Sequence, residues 1–102
     1  MDRKQLAIDF AKSLNHPEIE KIILFGSVAS KEDTEKSDID ILIIAKNKEK
    51  IENQIYDKAY DIYLKENVDI SVKLFSLNDS EYNKQTDFIS NVKKEGILIG
   101  GV

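Results

Sequence analysis

Gly26-Ser27, ten intervening residues, and then Asp38-x-Asp40 form the part of the chain whose types and spacing can do chemistry. Side chains alternate along a strand, so Asp38 and Asp40 point to one face, ~7 Å apart along it. Two carboxylates that close repel each other, and each is costly beside an apolar strand without a cation. A divalent metal resolves both problems. Magnesium takes one or two carboxylates together with phosphate oxygens and waters. Gly26 lets backbone approach a phosphate closely, and amides after it, with the Ser27 hydroxyl, can donate to phosphate oxygens. The site would then hold phosphates on one side and metals on the other.

Asp69 is a third acid, at the start of a later strand. If that strand pairs with the one carrying Asp40, Asp69 reaches the same pocket. Three acids can hold two metal ions ~3.5–4 Å apart, the arrangement for in-line phosphoryl or nucleotidyl transfer. Asp69 would sit on the side of the acceptor hydroxyl and help take up its proton. The Gly26-Ser27 turn lacks the downstream Gly-Lys-Ser/Thr set of a P-loop, which argues against that chemistry.

The elements that position these residues are legible as patterns. Leu6, Ala7, Phe10, Ala11 and Leu14 recur at helical spacing, with Asp2 as cap and Gln5 three residues on. Residues 19–25 read as a strand stopped by Gly26, residues 30–37 as an exposed polar loop, and residues 39–45 as a strand buried on both faces. Residues 48–66 return to a helical period, with Ile51, Ile55, Ala59 and Ile62 in one stripe and Tyr56, Tyr60 and Tyr63 beside it. Residues 68–74 alternate: Val68, Ile70, Val72 and Leu74 face one way, and Asp69, Ser71 and Lys73 the other. Helical pieces are expected at 78–84 and 86–95, with Gly96 at a helix end and a short edge strand at 97–99. The fold class read from this order is α/β (α+β): a small β-sheet flanked by helices, with residues 1–102 as one domain.

Composition narrows the function. The chain has 102 residues, 41% hydrophobic and 33% charged, with net charge −4. That is enough for one core. No cysteine is present, which removes thiolate metal sites and cysteine nucleophiles. The acidic balance and the lack of a basic stripe speak against a nucleic-acid surface, leaving nucleic acid only as a conceivable acceptor. The longest strongly apolar run, residues 41–45, is too short to span a bilayer, and the N-terminus carries charge where a signal peptide needs an apolar run. A cytoplasmic location is expected. His16, before Pro17, reads as a surface turn residue.

The spaced Gly26-Ser27 and Asp38-x-Asp40 motif, the apolar residues flanking it, and Asp69 resemble the signature of the DNA polymerase β-like nucleotidyltransferase superfamily. At this length the chain looks like a minimal nucleotidyltransferase, and the similarity runs from Ile22 to the terminal KKEGILIGG. The resemblance implies a mixed sheet with the acids at one end. It implies transfer of a nucleoside monophosphate, AMP from ATP being the expected case, to a hydroxyl by a two-ion Mg2+ mechanism. Asp38, Asp40 and Asp69 would be the catalytic metal ligands, and Gly26, Ser27 and Lys31 would bind nucleotide. Minimal members are often paired with a separate helical HEPN protein as a toxin–antitoxin module, in some pairs adenylylating a tyrosine of the toxin.

Many minimal members read Gly-Ser-Arg-Ala-Arg-Gly, where this chain has Gly26-Ser27-Val28-Ala29-Ser30-Lys31. Lys31 or Lys36 is left to supply phosphate charge, and lysine does not replace arginine's bidentate fork. A second expectation is therefore an antitoxin that neutralises a helical partner by contact, through the wide face of the tyrosine-bearing helix. A second copy of the chain is another candidate for that face.

Overall fold

The computed structural model describes residues 2–101. Asp2 accepts from the Lys4 amide at 3.0 Å and starts helix α1 (Arg3–Ser13). Gln5 does not reach back to complete the capping pair; its amide donates to Asp9 Oδ1 one turn on, at 3.0 Å. Strand β1 (Ile19–Phe25) follows, then the short helix α2 (Gly26–Ser30) and strand β2 (Ile39–Ala45). A 3-10 turn, Lys48–Lys50, precedes helix α3 (Glu52–Glu66), so residues 48–66 are not one continuous helix. Strand β3 (Ile70–Ser76), helices α4 (Ser80–Lys84) and α5 (Thr86–Glu95), and strand β4 (Ile97–Gly101) complete the order.

The four strands form one mixed sheet in the order β3-β2-β1-β4. β1 pairs antiparallel with β2 and β4, and β2 pairs parallel with β3. A parallel pair needs a crossover, and α3 provides it. β2 is central and its apolar residues are buried on both faces, as the apolar run after Asp40 predicts. β3 begins two residues later than the alternation suggests. Asn67 ends α3 in a left-handed conformation (φ 54°), and pairing starts only where Ile39 N–H donates to Asp69 O, at 2.9 Å. It ends at the rung from Leu77 N–H to Ala45 O, also 2.9 Å.

The two faces of the sheet are covered unequally. On one, Ile22, Leu24, Ile41 and Ile43 pack with Phe10 and Leu14 of α1 and Ile55 of α3 in a cluster of fifteen buried residues. On the other, Ile23, Leu42 and Ile44 meet Ile89 and Val92 of α5 in a cluster of only five. Each fully buried Ile or Leu contributes roughly 1.5–3 kcal/mol, so the first face carries most of the stability. The second can leave one end open, and the polar residues of β2 and β3 lie at that end.

Gly96 ends α5 for a reason other than a left-handed turn. Its backbone is extended (φ −83°, ψ 177°), but a Cβ there would stand 2.6 Å from Ile23 Cγ2 and 2.8 Å from Leu24 O. The helix end lies directly against β1. Ile51, just before α3, and Ile55 within it are buried, while Tyr56, Tyr60, Tyr63 and Leu64 are exposed. Tyr60 and Tyr63 stack with ring centres 6.3 Å apart.

Candidate active site

β1 delivers Phe25 to the sheet edge opposite Asp40 of β2. Phe25 packs edge-to-face on Phe88 of α5, ring centres 5.7 Å apart, which pins the helix layer under this corner. The chain then turns through Gly26 with φ +74°. The space a side chain would fill at Gly26 is taken by the Asp40 carboxylate: a Cβ would overlap its Oδ2 and lie 3.1 Å from its Cγ. Ser27 follows in the first turn of α2, and its carbonyl accepts from Glu32 N–H at 2.8 Å and from Ser30 Oγ at 3.2 Å. Among the described residues, none bonds to the Ser27 hydroxyl.

The parallel register brings the acids to one corner. Ile39 stands opposite Ile70, Asp40 opposite Ser71, and Leu42 opposite Lys73. Asp38 and Asp69 each immediately precede the first of these pairs. Alternation therefore places Asp38, Asp40, Asp69, Ser71 and Lys73 on the face of Leu42 and Ile44, at the end α5 leaves open. Asp38 and Asp69 are exposed and Asp40 half-buried. Burial holds the Asp40 carboxyl above the usual carboxylate range, and the charge of Asp38 adds to this. The ammonium of Lys73 pulls the other way.

The carboxylates do not converge as they stand. Among the described residues, no three acidic or imidazole side chains are grouped closely enough to hold a metal ion. The donor chemistry suits a hard cation all the same: carboxylate oxygens only, and the half-buried one held against Gly26.

Lys31 ends α2 in a left-handed conformation (φ 64°), donates its N–H to Val28 O at 3.3 Å, and is exposed. Lys73, supplied by β3, is the cation whose charge acts on Asp40. Sequence reading places Lys73 on the correct face without ranking it above Lys31, because only the β2–β3 register shows its proximity.

Arg3 was not a sequence candidate. Its Nε donates to Ser37 O at 3.0 Å and its Nη2 donates to Glu35 O. The one available signal is that Arg3 is the only arginine in the chain. A cleft of about 490 Å³ is lined by Gly26 and Ser27 together with Phe25, Phe88, Asn91 and Glu95. A cavity of similar volume beside His16 is lined by none of the site residues. There, His16 Nδ1 accepts from Glu18 N–H at 3.0 Å, the turn role expected of it.

With this geometry in view, comparison with known proteins identifies the class. Residues 8–101 match the family described as Polymerase beta, Nucleotidyltransferase, and the chain belongs to that family. It is 36% identical over 96 residues to a Methanocaldococcus jannaschii protein provisionally named a protein adenylyltransferase, covering 90% of this chain and 89% of that one. Its fold is that of the crystal structure of a toxin-antitoxin with AMP-PNP, at TM-score 0.63 and 23% identity, over 100% of this chain and 75% of that chain. A crystal structure of the toxin-antitoxin MntA-HpeT, in a variant with two aspartates changed to glutamate, matches at TM-score 0.62 and 20% identity over the same shares. Among the described residues, no helix is long and apolar enough to cross a membrane.

Proposed function

We propose that the chain is a Mg2+-dependent nucleotidyltransferase that moves AMP from ATP to a hydroxyl, a tyrosine of a separate helical HEPN-type partner being the expected acceptor. One observation carries the reading: Asp38, Asp40 and Asp69 share the open end of one sheet face, beside a glycine whose side-chain space the Asp40 carboxylate fills. The protein adenylyltransferase relative and the neighbour holding AMP-PNP support the nucleotide and the transferred group. The toxin-antitoxin neighbours support a protein partner.

In this reading Asp38, Asp40 and Asp69 would hold two Mg2+ ions, and bound ions would supply Lewis-acid charge at the acceptor hydroxyl. Gly26 and Ser27 orient the β- and γ-phosphates through backbone amide and hydroxyl. The acceptor oxygen bonds to the α-phosphorus. The bond from that phosphorus to the bridging oxygen breaks, and pyrophosphate leaves with the electron pair. Asp69 takes up the acceptor's proton. Lys73 balances phosphate charge from the β3 side, in the absence of arginines after Gly26-Ser27.

The test is calorimetric titration of MgATP into wild type and Asp40→Asn. Magnesium-dependent binding by wild type, lost in a folded Asp40→Asn, is the expected result. Absence of binding by folded wild type would overturn the enzyme reading. It would leave the alternative, an antitoxin acting by contact, which is favoured by the exposed Tyr56, Tyr60 and Tyr63 ridge. That alternative expects Tyr60→Asp to break a complex with the partner and Asp40→Asn to leave it intact.

A further inference from the structure

We infer that Arg3 is a positioning residue for Asp38, holding the loop that delivers this carboxylate to the metal site. The inference rests on the reading of Asp38 as a metal ligand.

The loop of residues 31–38 enters β2 at its working end. It is ordered within itself: Thr34 N–H donates to Ser37 Oγ at 2.8 Å, Ser37 N–H to Thr34 O at 3.1 Å, and Glu32 N–H back to Ser27 O at 2.8 Å. Those bonds tie the loop to itself and to α2. Before Ile39 begins pairing, Arg3 is the one group outside residues 27–37 that bonds to it among the described residues. The acceptors are Glu35 O and Ser37 O, and Ser37 O belongs to the peptide that joins Ser37 to Asp38.

The other end of the tether is firm. Arg3 is the first residue of α1, whose Asp2 cap and buried Leu6, Ala7 and Phe10 fix it on the sheet. Among the described residues Arg3 forms no ion pair, so its guanidinium is committed to the two carbonyls. A planar fork suits two fixed acceptors, and it holds them with little further loss of freedom. Asp38 is itself exposed and repelled by Asp40, so neither packing nor charge keeps it in place. Fixing the peptide before it narrows the positions its carboxylate can take.

The test measures Mn2+ alone binding to the full chain, by calorimetry, for wild type, Arg3→Gln and Arg3→Lys. Ile8→Ala is the control, since it loosens α1 at a half-buried position that takes no part in the loop's hydrogen bonds. Groups that orient a metal ligand typically change affinity by 10–100-fold when removed. Arg3→Gln is expected to weaken Mn2+ binding by about 10-fold. Arg3→Lys, which keeps one charged donor, should recover part of it. Ile8→Ala should lower the Tm without a matching loss of affinity.

Wild-type affinity in a folded Arg3→Gln would overturn the inference alone. Equal affinity losses in Arg3→Gln and Ile8→Ala would also overturn it, reducing Arg3 to a stability role. If folded wild type binds no Mn2+, the metal reading falls and this inference falls with it.

Discussion

The Asp40 carboxylate occupies the volume that a side chain on Gly26 would need. This contact ties the turn after β1 to the acid of β2, although fourteen positions separate the two residues. The turn and the acid are thus one packed unit, with no room at Gly26 for a side chain beside Asp40.

Gly26→Ala is expected to strain the left-handed turn by roughly 1–2 kcal/mol, before any clash is counted. The new methyl would also push the Asp40 carboxylate out of its position. Urea unfolding should show the stability loss. Calorimetry should show Mn2+ binding reduced by more than that loss explains.

Asp40→Asn should stabilise the protein while abolishing metal-dependent nucleotide binding. The folded state holds the Asp40 carboxyl above its ordinary range, so it binds the proton more tightly than the unfolded chain does. The stability this contributes is present at acid pH and is lost as pH rises through the raised value. Above it, ionised Asp40 works against the fold. The asparagine variant should therefore gain stability at pH 7, under ~1 kcal/mol because the site is open to water. The gain should shrink near pH 4. Metal affinity of wild type should move oppositely, rising as Asp40 ionises. Urea melts at the two pH values check the first part, and Mn2+ titrations check the second.

Lys73→Met separates the metal from the phosphates. Lys73 is exposed and its charge lies beside Asp40. Its removal takes away a cation that repels a metal ion but attracts a triphosphate. Mn2+ alone should bind as well as before or better. MgATP should bind about fivefold more weakly, equivalent to ~1 kcal/mol for one exposed charged contact. Loss of both, with the fold intact, would place Lys73 in a structural role.

β1 and β2 could be read directly from the chain, since each is a β-branched apolar run with a clear stop: Gly26 after one, the charged loop before the other. The shared face of Asp38 and Asp40 followed from alternation alone. β3 was harder. Val68 and Asp69 continue the alternation but lie ahead of the first pairing rung, and Phe75 follows Leu74 where both faces are apolar. Lys31 and Lys36 are the lysines that follow Ser27 in sequence. Lys73 is a cation whose charge acts on Asp40 across the strand pair, which only strand register can show. Arg3 was invisible for another reason. Its partners are backbone carbonyls 32 and 34 positions away, and a carbonyl leaves no mark on residue type.

The pairing of β3 on β2 gives the site a dependence on parity. Asp69, Ser71 and Lys73 face the open corner because they share one phase of β3, while Val68, Ile70, Val72 and Leu74 share the other. Sliding β3 by a single residue exchanges the two sets across the sheet. It would turn the acid and the lysine into the α3 layer and bring valine and isoleucine beside Asp40. Residues inserted in the link before Ile70 would lengthen only the loop, whereas a one-residue slip of pairing would lose the corner and the core together.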